Sequence, residues 1–154
     1  MTAQPLRRGP SYRLAMYDEV LVPTDGSPGA ETAIDHAIHI ARQNDATVNP
    51  VYVVDVSDMG DIGDDPDELR AEGREVIEPI VNAAREAGLE VNEHVLEGTP
   101  HERIVECAEA HDADLIVMGT HGKSGLSRVL LGSTAEKVVR NSSVPVLTIR
   151  NGTD

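Results

Sequence analysis

Asp114-Leu115-Ile116-Val117-Met118-Gly119-Thr120-His121-Gly122, nine further residues, Gly132-Ser133-Thr134 and then Ala135-Glu136-Lys137-Val138-Val139-Arg140 is the stretch on which the reading of this chain turns. Its first part is a short apolar run with the character of a buried strand, and its last part has helical spacing. Between them lies a loop bearing glycines. Glycine lets a backbone approach a ligand closely, and the free N–H groups and dipole of a following helix favour negative charge, so a loop in this position can hold phosphates. The charge map agrees. Residues 119–140 carry Lys123, Arg128, Lys137 and Arg140 against Glu136 alone, a local +3 in a chain whose net charge is −14. Both lysines of the chain lie in this segment.

Working outward, Glu19 to Pro23 reads as a buried strand, Thr24 to Ser27 as a turn, and Ser27 with Pro28 as the start of a helix carrying Ala33, Ile34, Ala37, Ile38 and Ala41 on one face. Val48 to Val56 reads as a second strand despite Pro50. Residues 57–67 are rich in Gly and Asp and read as a loop. A helix follows from about Asp67 to Ala87, ended by Gly88, with Gly73 and Pro79 as weak points and Pro79 expected to kink or break it. Glu90 to Leu96 reads as a charged edge strand. Thr99-Pro100-His101-Glu102 is a capping box that opens a helix through Ala110. Val144 to Ile149 is a fifth strand, with Pro145 marking it as an edge. Strands alternate with helices throughout, which implies an α/β fold with a doubly wound, five-stranded parallel sheet and ligands at the carboxyl ends of its strands.

Several chemistries find little support. Gly122-Lys123-Ser124 resembles the tail of a P-loop, but the required earlier glycine is Val117, inside the strand, so there is no Walker A site. No dinucleotide fingerprint follows the first strand. No nucleophile elbow or Cys/His pair argues for covalent catalysis. His36 and His39 lie one turn apart without a visible third ligand, and His94, His101 and His111 offer no metal spacing. Cys107 reads as a small core residue. Two polar residues stand out. Asp25 ends the first strand, where sites form, although Asp-Gly is also a common turn pair. His121 lies inside the glycine loop, as a phosphate donor or as a plain loop residue.

These residues resemble the universal stress protein family. Its motif, Gly-x2-Gly-x9-Gly-Ser/Thr, stands here as Gly119, Gly122, Gly132 and Ser133. The runs Val22 to Ser27, Gly98 to Glu102, Asp114 to Gly119 and Val144 to Leu147 also match in order and spacing, over roughly residues 17–150. The resemblance implies a Rossmann-like sheet ordered 3-2-1-4-5, with strands 1 and 4 at the switch point. It implies one domain over residues 17–151 behind a polar tail, residues 1–16. The family divides into members that bind ATP and members that do not, and the complete glycine motif marks the binders. By resemblance, Pro23, Thr24, Asp25 and the backbone around Val53 hold adenine and ribose. Met118, Gly119, His121 and Gly122 line the first part of the phosphate loop, and Gly132, Ser133 and Thr134 present N–H and hydroxyl groups to the phosphates. Mg²⁺ accompanies the nucleotide. Family members commonly dimerise through the last strand, and Val144 to Ile149 is an apolar edge suited to a homodimer. The function so implied is an ATP-binding regulatory module of the stress response. A slow ATPase and a non-binding dimeric scaffold are the alternatives, and no catalytic pair is evident.

Composition bounds the rest. A chain of 154 residues suits one domain with an aliphatic core, since it has three Tyr and neither Phe nor Trp. One cysteine excludes an internal disulfide and fits a reducing cytoplasm. No apolar run approaches the roughly 18 residues of a membrane span, and Arg7 and Arg8 precede no apolar region that would make a signal. Met16 is a second candidate start. The excess of 27 Asp+Glu over 13 Lys+Arg leaves no broad basic face for nucleic acid. That excess suits ordinary solubility or, as the sharper reading, the molar-salt cytoplasm of a halophile, where a Debye length of about 3 Å screens self-repulsion. The sharper reading predicts that the melting temperature rises with KCl well above 0.15 M, roughly the physiological ionic strength; melting curves that stay flat across that range would remove it.

Overall fold

The computed structural model describes residues 17–27, 29–55, 65–121 and 131–150. The N-terminal tail, Pro28, residues 56–64, Gly122, Lys123 and Arg128, with the readings made on them, lie outside the described residues. The chain runs β1 (Glu19–Pro23), α1 (Gly29–Asn44), β2 (Thr47–Asp55), α2 (Pro66–Glu86), β3 (His94–Gly98), α3 (Pro100–Ala110), β4 (Leu115–Gly119), α4 (Ser133–Asn141) and β5 (Val146–Ile149). The five strands form one sheet in the order β3-β2-β1-β4-β5, every neighbouring pair parallel, as the resemblance implied.

The alternation of side chains along a strand sorts the core into two layers. Val20 and Val22 of β1, Val48 of β2 and Leu115 and Val117 of β4 face α1 and α2, where they meet Ala33, Ala37, Ala41, Ile80 and Ala84. Leu21, Val51, Ile116 and Met118 face the other way, onto Ile104, Cys107 and Ala108 of α3 and Ala135 and Val138 of α4. Val20, Leu21 and Val22 are fully buried, which is why β1 reads as an unbroken apolar run rather than an alternating one. The alanines of α1 recur every fourth residue, and their small side chains let that helix lie close to the sheet.

Several local expectations are corrected. The third strand begins at His94, not Glu90. Val48 donates to the Glu90 carbonyl and accepts from the Asn92 N–H, forming an isolated bridge with Val91. The next donor of β2 on that side would be residue 50, and Pro50 has no N–H. The ladder is interrupted there and resumes at the Val51–His94 pair. The fifth strand begins at Val146, because Val144 is held in a turn by the Ser142 hydroxyl, which donates to the Val144 carbonyl and accepts its N–H. Thr99 occupies the N-cap of α3 but makes no side-chain capping bond; its carbonyl accepts the Arg103 N–H.

Pro79 does not break α2, which runs through it to Glu86. It lies on the exposed face, where water can satisfy the carbonyl left without a donor, while Ile77, Ile80, Val81 and Ala84 anchor the helix from below. Gly88 ends the helix at φ +78° as expected. Asp45 and Asp112, at φ +53° and +52°, do the same work after α1 and α3.

Gly73 has a packing role rather than a weakening one. A Cβ there would lie 2.7 Å from Tyr52 Cδ2 and 2.9 Å from Val95 Cγ1, because the helix crosses β2 and β3 at that point. In an exposed helix Gly→Ala gains about 1 kcal/mol. Here overpacking of about 1–3 kcal/mol should outweigh it. Gly73→Ala is therefore expected to lower stability in urea unfolding, and a stabilised variant would show that Tyr52 and Val95 yield freely.

Candidate functional site

β1 and β4 lie side by side, and the connections that leave their carboxyl ends go to opposite faces of the sheet, α1 to one and α4 to the other. That divergence opens a crevice at the carboxyl edge. A cavity of about 230 Å³ occupies it, somewhat below the roughly 300–1,000 Å³ of common small-molecule pockets.

The β1 wall consists of Pro23, Thr24 and Asp25. Its shape is set by a tight turn. The Asp25 carboxylate accepts the Ser27 N–H at 2.9 Å, the Thr24 hydroxyl accepts the Gly26 N–H at 3.1 Å, and Gly26 takes φ +80°, a conformation that strains other residues. Thr24 N–H donates to the Val51 carbonyl at 2.9 Å, tying this turn to β2. Asp25 thus does the turn chemistry that its Asp-Gly pair suggested, and it also faces the cavity.

The β4 wall consists of Met118, Gly119 and His121, and the α4 wall of Gly132, Ser133, Thr134 and Ala135. One backbone bond joins these walls: the Gly132 N–H donates to the Thr120 carbonyl at 2.6 Å. Thr120 is buried, its N–H donates to the Ile149 carbonyl at 3.0 Å, and its hydroxyl lies 3.1 Å from His121 Nδ1. Gly132 is the N-cap of α4 at φ −70°, ψ 166°, with no side-chain capping bond. The N–H groups of Ser133, Thr134 and Ala135 therefore open the helix at the cavity wall, and the N-cap glycine has no side chain to cap them.

Of the residues singled out from the sequence, Pro23, Thr24, Asp25, Val53, Met118, Gly119, His121, Gly132, Ser133 and Thr134 all border this one cavity. Gly122 lies outside the described residues. Of the four cations expected around the loop, Lys123 and Arg128 lie outside the described residues. Lys137 and Arg140 do not line the cavity; Arg140 pairs with Glu136 at 3.3 Å on the exposed face of α4. Among the described lining residues the ionisable groups are Asp25, Asp55, Tyr52 and His121, and the helix N-terminus adds an electropositive element to the wall.

Sequence reasoning missed Asp55, Tyr52 and the apolar floor of Val51, Pro100 and Ile104. An acidic residue ending the second strand was a legible signal for Asp55. Pro100 and Ile104 come from α3, distant in sequence from Val51 of β2, and carry no local signal.

A second group of polar side chains meets away from the cavity, between β3 and α3. Burial, and then the neighbouring His111, hold the His94 imidazole below its ordinary value. Burial also pushes the Cys107 thiol up to about 11, with Arg103 acting against it, so the thiol is protonated at neutral pH. His94 and His111 show no metal spacing along the chain, yet their rings stand 4.4 Å apart.

Among the described residues no helix is long and apolar enough to cross a membrane. Comparison with known proteins agrees with the architecture. The chain matches the model of the universal stress protein family over residues 16–150. It is 43% identical over 141 residues to universal stress protein MJ0531 of Methanocaldococcus jannaschii, covering 88% of this chain and 83% of that one. The solved structure of MJ0577, from the same organism, superposes with a TM-score of 0.79 at 34% identity, covering 88% of this chain and 96% of that one. A universal stress protein in complex with cAMP superposes at 0.70 with 28% identity, covering 89% and 99%. One from Archaeoglobus fulgidus in complex with dAMP superposes at 0.68 with 28% identity, covering 87% and 98%. A family match across nearly the whole described sheet, joined to the shared strand order, means that this chain belongs to the universal stress protein family.

Proposed function

We propose that residues 17–151 form one domain that binds an adenine nucleotide, ATP with Mg²⁺, in the cavity between β1 and β4, and acts as a nucleotide-dependent regulatory module of the stress response. The observation that carries this reading is the N-terminus of α4 at Gly132, Ser133 and Thr134, opened by a glycine N-cap, forming one wall of a cavity that also has apolar lining. Phosphates suit the first and a purine suits the second. The related proteins solved with cAMP and dAMP support the adenine assignment. Val53 and the backbone around it would meet the base, and Asp25 would meet the ribose. Asp25 and Asp55 offer hard oxygen donors that fit Mg²⁺, whose remaining ligands would be phosphate oxygens and water.

Binding is favoured over hydrolysis. Phosphoryl transfer to water also needs a positioned base or water-orienting group, and the sequence shows no committed catalytic pair for it. Asp25 and His121 remain the candidates for any slow turnover.

β5 ends the sheet, and Leu147 on it and Val139 on α4 are 36% and 44% exposed. An unpaired strand edge with exposed apolar neighbours calls for a cover. A second copy pairing through residues 144–149 would supply one by two-fold symmetry.

Two measurements test these readings. The N-cap geometry of Gly132 is open to any residue, so Gly132→Val should leave the fold intact while its side chain enters the phosphate space. Calorimetric titration with ATP and Mg²⁺ is expected to show affinity reduced by about a hundredfold, ~2.7 kcal/mol; undiminished affinity would refute the site. Leu147→Glu should shift the sedimenting species from dimer to monomer, and an unchanged dimer would move the interface elsewhere.

A further inference from the structure

His94 opens β3, and Cys107 and His111 lie four residues apart on and just after α3. Four residues is about one helical turn, so the thiol and the second imidazole share a face. The Val51–His94 pairing sets His94 beside Val51, on the side of the sheet that α3 covers. One ligand atom from each of the three residues lies within 4.8 Å of the others. In a tetrahedral zinc site, Zn–S of about 2.3 Å and Zn–N of about 2.0–2.1 Å set the ligand atoms about 3.3–3.6 Å apart. Closing the cluster therefore needs each pair of ligand atoms to approach by at most ~1.5 Å, and His111 is the exposed member of the three.

The hydrogen bonds around His94 fix the orientation of its ring. Asn49 is 1% exposed, and its Nδ2 donates to Glu19 Oε1 at 2.9 Å. A carboxylate only accepts, so the Asn49 amide nitrogen must face Glu19 and its oxygen must face His94. That oxygen lies 3.0 Å from His94 Nε2. This network assigns the proton to Nε2 and leaves Nδ1 with its lone pair. Metal-bound histidines are held in just this way, with the second ring nitrogen donating to an oxygen acceptor.

We propose that His94, Cys107 and His111 bind a transition-metal ion between β3 and α3, with Zn²⁺ the ion whose preferences the donor set fits. One thiolate and two imidazoles make three of the four positions that zinc fills, and water or a fourth protein group completes the shell. Cys107 gives its proton to solvent as the ion binds. His111 provides the path of entry, since Cys107 is buried and His94 is partly covered. None of the three residues lines the nucleotide cavity, so the site stands whether or not that cavity takes ATP. Its effect would be to fasten the end of α3 to the start of the edge strand.

The test uses the full chain, stripped of metal and free of nucleotide. Calorimetric titration with ZnCl₂ is expected to give one equivalent bound and a raised melting temperature. His111→Gln, a change at an exposed position, and Cys107→Ser should each weaken zinc binding by more than the ~10–100-fold loss that outer-shell changes alone produce. Co²⁺ in place of zinc should show a thiolate-to-cobalt charge-transfer band that Cys107→Ser abolishes. Absence of stoichiometric zinc binding, wild-type affinity in His111→Gln, or a cobalt complex of the wild-type chain without the thiolate band would each overturn the proposal. Should Cys107→Ser fail to fold, His111→Gln and the wild-type cobalt spectrum still decide it.

Discussion

The register between β1 and β4 is the constraint on which the rest of the molecule depends. It is set where the two strands begin. The Asp114 carboxylate accepts the N–H groups of Asp18 and Glu19 at 2.8 and 2.9 Å, and the Asp114 N–H donates to the Glu19 carbonyl at 2.8 Å. These bonds join residues about 95 positions apart and align Val20 with Leu115 and Leu21 with Ile116. A slip of one residue would turn every side chain of β4 to the wrong face. Val117 would leave the layer under α1, and Met118 would leave the cavity. The core and the site therefore rest on the same alignment.

The same register brings the Asp25 turn and the Thr120 backbone to one edge of the sheet, at opposite ends of the chain's order. From there the Gly132 N–H bond to Thr120 brings the start of α4 back to the edge it must face. Among the described lining residues the groups that can face an anion are then backbone N–H groups of α4 rather than lysine or arginine side chains, while Arg140 is drawn into an ion pair with Glu136.

The face covered by α3 carries more polar chemistry than its apolar partner face. Asn49 is buried in the sheet with both ends of its amide satisfied, by Glu19 and by His94. That chain links the start of β1 through β2 to β3 and fixes an imidazole orientation at the sheet edge. The other face is built from alanines and branched aliphatics and shows close approach instead, with Gly73 set against Tyr52 and Val95. Polar specification on one side and steric specification on the other keep the two pairs of helices distinct.

The sequence by itself determined the elements, their type and the edge of the sheet at which the cavity opens. Strand and helix periods, the glycine after β4, Gly88 after α2 and the Asp-Gly turn after β1 are local patterns, and a local pattern states the local conformation. The strand order came with the family resemblance, not with periodicity, because alternating elements are compatible with several orders. Only the tertiary structure decided that the third strand starts at His94, since this depends on which side of β2 the missing N–H of Pro50 faces. It decided that Pro79 is harmless and Gly73 is required, since the first faces water and the second faces a neighbouring ring. It also brought Asp55 and the α3 floor to the cavity, and His94 to Cys107 and His111. Those meetings are set by how helices pack across a twisted sheet, and no spacing along the chain records them.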